Sequence, residues 1–180
     1  VSHMSTWNLD ILYTSLDDPT LQEDFGKLEQ MIAENAELAK APISKENLET
    51  ALLKSMNMST CARKIGAYLS LSSSTDTTNS KIAGLRNRFM TTMSKNTIAS
   101  TMFEKKVASC NEIETWAAES DLIREHLFYL NEIKASAAHL LSEQEENVLS
   151  LMRQNASNNW SQLQSDLTST LSVEMGDQTL

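Results

Sequence analysis

Apolar residues recur at three- and four-residue spacing along most of the chain, which predicts a succession of amphipathic helices. Asp17-Asp18-Pro19 is a helix start, with the proline in the first turn, where no amide partner is lost. Leu21, Phe25, Leu28, Ile32 and Ala36 form the stripe behind it, and Ala41-Pro42 ends it. Ser44 opens a second helix whose stripe is Leu48, Ala51, Leu52, Met56, Ala62, Ile65 and Leu69. Gly66 on that helix offers room for a neighbour to come close. The polar run over residues 71–79 predicts a corner between helices, because its hydroxyls compete with the backbone ladder. A long helical region follows, with Ile82, Leu85, Phe89 and Met93 on one face. It continues through Ile98, Met102 and Phe103 to Val107, bending near residues 94–96, with Lys95, Lys105 and Lys106 solvated. Residues 109–121 read as a weaker patch in which Ile113, Trp116 and Ala117 make a short amphipathic turn. Ahead of all these helices, Trp7, Leu9, Ile11 and Leu12 form an extended or turn-like anchor expected to lie against them.

The last third carries three more stripes. Leu122, Ile123, Leu127, Leu130 and Ile133 mark one helix; Val148, Leu149, Leu151 and Met152 mark a second; Trp160, Leu163, Leu167 and Leu171 mark a third. Between the first two, Ser142-Glu143-Gln144-Glu145 has the spacing of a capping box, a hydroxyl for one amide and a carboxylate three residues on reaching back. At the end, residues 171–175 alternate, Gly176-Asp177 is a turn pair, and residues 178–180 begin a return strand. The expected fold is therefore all-α: an antiparallel helical bundle or array of about six helices, with a truncated β-hairpin at the C-terminal end. Residues 5–180 form a single domain, and Val1-Ser2-His3-Met4 resembles a residual cloning sequence.

Composition narrows the function. The 180 residues carry a net charge of -9, which repels phosphate backbones and argues against nucleic-acid binding. No long apolar run or basic amphipathic stretch points to a membrane. The 2 cysteines, Cys61 and Cys110, lack metal or redox spacing and read as small buried thiols in a reduced, cytoplasmic setting. Met31, Met56, Met90, Met93, Met102 and Met152 fall within helices and read as adaptable core filling.

The run Ala138-His139-Leu140-Leu141-Ser142-Glu143, with Glu146 and Leu149 beyond it, resembles the "PHTLSEEEE..L" segment of the oligoendopeptidase F family of zinc peptidases. Residues 160–173 are similar to the "W..L.DELTS.L.F" run of that family. The stretch Trp7-Asn8-Leu9-Asp10-Ile11-Leu12-Tyr13 resembles its opening "W.L.DLY", and Tyr68-Leu69 running into Thr75-Asp76-Thr77 is similar to a tyrosine-leucine helix ending in "TDT". Ala138 stands where the family has proline, leaving that loop less rigid. The resemblance implies the non-catalytic N-terminal region of a longer enzyme, reaching over nearly the whole chain. The family's chemistry needs His-Glu-x-x-His on a helix, which sets two imidazoles one turn apart on a zinc ion. His3, His126 and His139 are not paired at that spacing.

This chain alone therefore has no assigned catalytic or metal residues and no cofactor. Zinc, and activity as a metallopeptidase on short peptides, belong to the parent enzyme that the resemblance implies. The missing C-terminal catalytic domain is the implied partner, and the helical walls of a channel would restrict entry to short, unfolded peptides. A self-standing helical interaction module without peptidase activity is the alternative. His126 reads as a structural or surface residue, His139 as a loop hydrogen-bonder, and Glu143, Glu145 and Glu146 as first-turn acids favoured by the amide ends. Trp160, Leu163, Leu167, Leu171 and Val173 form the candidate interaction surface, through which the isolated chain is expected to form a homo-oligomer.

Overall fold

The computed structural model describes residues 8–137, 141–171, 174–175 and 178–179. It is built from helices: α1 (Pro19–Lys40), α2 (Lys45–Thr75), α3 (Ser80–Ser94), α4 (Thr97–Ser109), α5 (Ile113–Glu119), α6 (Asp121–Glu125), α7 (Leu127–Ser136), α8 (Glu143–Arg153) and α9 (Asn159–Thr170). A π-helical turn, Gln154–Asn158, joins the last two.

The first three helices start at side chains that satisfy free amides. Asp18 caps α1, accepting from the Thr20 amide at 2.9 Å, while its other oxygen accepts from the Thr14 amide and hydroxyl. These bonds hold the Asp18 carboxyl well below the usual carboxylate range, the Thr14 amide being the largest cause. Ser44 caps α2 through the Asn47 amide, and Asn79 caps α3 through the amides of Lys81 and Ile82.

Two apolar clusters organise the packing. The first joins Leu21, Phe25, Leu28 and Ile32 of α1 to Met58, Ala62, Ile65, Tyr68 and Leu69 of α2, with Tyr13 inserted ahead of α1. The second gathers Leu48 and Leu52 at the start of α2, Val107 of α4, Cys110, Ile113 and Ala117 of α5, Ile123 of α6, and Leu130 and Ile133 of α7. Helix α2 is long enough to contribute to both. Full burial of each large aliphatic side chain stabilises the fold by about 1.5–3 kcal/mol relative to leaving it exposed.

Several expectations change at this level. Helix α2 runs through Thr75 instead of breaking near residue 71, because the hydroxyls of Ser74 and Thr75 bond back to the Ser70 and Ser72 carbonyls. The corner is thus confined to residues 76–79. On the same helix Met56 is exposed and Met58 buried, and Met90 and Met152 are also exposed. Residues 109–121 are not a weak patch: Ile113 and Ala117 are buried in the second cluster. The expected single helix over residues 122–133 is divided at His126, which sits between α6 and α7.

In the anchor, Leu9 and Leu12 pack on the first cluster while Ile11 is 90% exposed, and Tyr13 is the residue fully buried. Trp7 lies outside the described residues. Lys106 is not simply solvated: its ammonium donates to the carbonyls of Ala39 and Ala41, where α1 ends. The truncated hairpin is not supported. Among the described residues, Glu174–Met175 (β1) and Gln178–Thr179 (β2) face each other in two antiparallel pairs, Glu174↔Thr179 and Met175↔Gln178, a ladder too short to count as a β element of the fold.

Candidate interaction surface

The capping box forms as its spacing predicts. The Ser142 amide and hydroxyl donate to Glu145 Oε2 at 2.9 and 2.6 Å, and the Glu145 amide donates back to Ser142 Oγ at 3.3 Å. These bonds, the Ser142 hydroxyl first, lower the Glu145 pKa. The helix started here packs against α4. Leu149, Ser150 and Arg153 of α8 face Met90 and Met93 of α3 and Thr97 of α4 across an open cleft of about 360 Å³.

Beyond the π turn, α9 buries none of its residues. Trp160 is 70% exposed, Leu163 44%, Leu167 58% and Leu171 69%. A hydrogen bond links the hydroxyls of Ser169 on α9 and Thr77 after α2, at 3.2 Å. Val148, Leu151 and Met152 of α8 are exposed as well. Trp160, Leu163 and Leu167 are thus exposed on α9 and Leu171 at its C-cap, and the fifth residue of the candidate surface, Val173, lies outside the described residues. The polar side of α9 is closed on itself, Gln162 Nε2 donating to Asp166 Oδ1 at 2.7 Å.

The remaining polar groups read as structural. His126 Nδ1 lies 2.8 Å from the Leu122 carbonyl, and its backbone amide donates to the carbonyls of Leu122 and Ile123, so the ring closes the end of α6. His139 lies outside the described residues. Among the described residues no group of three His, Cys, Asp or Glu side chains could hold a metal ion, and no helix is long and apolar enough to cross a membrane. Cys110 is buried and Cys61 half-buried; burial, then the neighbouring Asp24 carboxylate, raises the Cys61 thiol pKa.

Two arrangements have no counterpart in the sequence patterns. Asp24 accepts from the Tyr13 hydroxyl at 2.8 Å, Lys64 at 2.8 Å and Lys27 at 3.0 Å. A carboxylate on the apolar face of a helix carries no periodic signal naming such partners. The second is a cavity of about 120 Å³ between the end of α1, the first half of α2 and α4, walled by Leu38, Ile43, Leu48, Leu52, Phe103 and Tyr129. Asn96 also lines it, with Nδ2 bonded to Ser100 Oγ at 2.9 Å and Oδ1 buried without a hydrogen-bond partner among the described residues.

The part of the chain that folds as α5–α9 is similar to a known sequence family. Residues 108–172 match the family model Oligopeptidase F. The match contains two of the stretches on which the resemblance rested, the run around Ser142 and that from Trp160 onward. The oligopeptidase F segment begins at the end of α4 and excludes the Trp7–Tyr13 stretch, so the likeness is shown over a narrower span than the motifs suggested. Comparison with curated proteins and with solved structures gives no match.

Proposed function

We propose that this chain is the non-catalytic N-terminal helical region of a zinc-dependent oligoendopeptidase, shaping the channel that restricts the parent enzyme to short peptides. The observation that carries this reading is the oligopeptidase F match over residues 108–172. The described residues also hold no cluster fit for the zinc ion. On this reading zinc chemistry belongs to the catalytic part, which is the partner of this region, in a cytoplasmic enzyme. Selection in such an arrangement is steric. A packed helical wall admits an extended peptide and excludes a folded domain, because the two clusters around α2 resist opening.

The alternative, a self-standing helical interaction module, draws support from the open face of α9. The two readings part at the gene. A reading frame that runs past Leu180 into His-Glu-x-x-His on a helix-forming stretch supports the first. A natural stop directly after Leu180 overturns it in favour of the second.

A further inference from the structure

The apolar strip of α9 has an internal symmetry that indicates what covers it. Leu163 and Leu167 are centred on Ser165, and Trp160 and Leu171 are centred between Ser165 and Asp166. The two centres differ by half a residue, ~0.75 Å at the helical rise of 1.5 Å per residue. Two copies of the helix laid antiparallel about a two-fold axis near Ser165 thus match all four positions together. Trp160 of one copy meets Leu171 of the other, and Leu163 meets Leu167. A second copy presents this register by construction, and gains it twice, once for each half of an isologous contact.

Charge favours the same occupant. The chain carries -9, yet from Gln154 to Leu171 its only charged residue is Asp166. By helical spacing Asp166 lies about 100° around the axis from the apolar strip. It is also held on its own helix by Gln162. Two acidic copies repel over most of their surface and can approach closely where charge is missing. A basic partner would find little on this face to attract it.

We infer that the isolated chain pairs with a second copy of itself through α9, antiparallel, with Trp160 against Leu171 and Leu163 against Leu167. The inference rests on this face alone and not on the proposed function. A contact confined to two helices ~18 Å long falls below the ~1,200–2,000 Å² of a stable complex. The pair is therefore weak and dilution-sensitive.

Sedimentation equilibrium of the whole 180-residue chain from about 1 μM to 1 mM tests the pairing. The average mass should rise from 20.1 kDa toward twice that value. Trp160→Asp should weaken association at least tenfold with an unchanged helical circular dichroism spectrum, whereas Phe128→Asp, at an exposed residue on α7, should not. The register has its own readout. Chains bearing Leu163→Cys mixed with chains bearing Leu167→Cys should form disulfide-linked heterodimers faster than either variant links to itself. A strict monomer across the series, association insensitive to Trp160→Asp, or preferential Leu163→Cys self-linkage would each overturn the inference.

Discussion

The Tyr13 hydroxyl donates to Asp24 Oδ2 at 2.8 Å, tying the segment before α1 to the second turn of that helix. The same tyrosine meets Tyr68 edge-on with ring centroids 5.1 Å apart, and the Lys64 ammonium lies 4.2 Å from the centre of its ring. Burial, then the Asp24 hydrogen bond, pushes the Tyr13 phenol far above its ordinary pKa. Tyr13→Phe keeps the ring contacts and removes one buried bond to a charged acceptor. It should cost about 1.5–3 kcal/mol, read as a lower midpoint in denaturant at unchanged slope.

Asp24 also sets an acid limit. Burial works to raise its pKa, but the bonds from Lys64, Lys27 and Tyr13 outweigh it and hold the carboxyl at about 2. An unfolded aspartate titrates near ~3.9. The stabilisation from Asp24 is therefore fully present above pH ~4 and is lost as pH falls toward 2. Thermal melts at pH 2, 3, 4 and 7 should show a falling midpoint in that window. Asp24→Asn should start from a lower midpoint and fall less steeply.

The two glycines of the first two helices should respond oppositely to enlargement. An added Cβ at Gly26 meets nothing within 4 Å, and Gly26→Ala should stabilise by about 0.5–1 kcal/mol through helix propensity. At Gly66 the Cβ would lie 3.3 Å from Phe89 Cζ, where α2 and α3 approach. Gly66→Leu should therefore destabilise by about 1–3 kcal/mol. Paired denaturant titrations give both values.

Asn96 keeps an unsatisfied acceptor in the wall of the α1–α2–α4 cavity. Replacing it with an apolar residue of similar size removes that cost, at the loss of its bond to Ser100. Asn96→Leu should leave stability unchanged or raise it by about 1 kcal/mol. A clear loss would mean that the Oδ1 atom has a bound water to satisfy it.

How much of this was legible follows from what each pattern encodes. The starts of α1, α2 and α8 were readable because Asp18, Ser44 and Ser142 act on amides within three residues of themselves. Helix α2 outran its expected end because the serines that compete with a ladder also bond back along it. The division at His126 could not be read, since the stripe continues across it on both sides. The Asp24 network and the Lys106 contact to α1 depend on which helices meet, information that no single helix's periodicity holds. For the candidate surface, the periodicity identified the apolar face of α9. It could not say whether that face was buried, and the structure leaves it open.

The central claim is that this chain serves a zinc peptidase without supplying its chemistry. Hydrolysis of a short fluorogenic peptide by two purified proteins, this chain and the product of the complete reading frame that contains it, tests it most directly. The claim predicts no cleavage and no stoichiometric zinc for the chain alone. For the complete product it predicts cleavage that is lost on chelation, restored by zinc, and absent with folded protein substrates. Chelator-sensitive cleavage by the chain alone, or a complete product that hydrolyses no peptide, would contradict it.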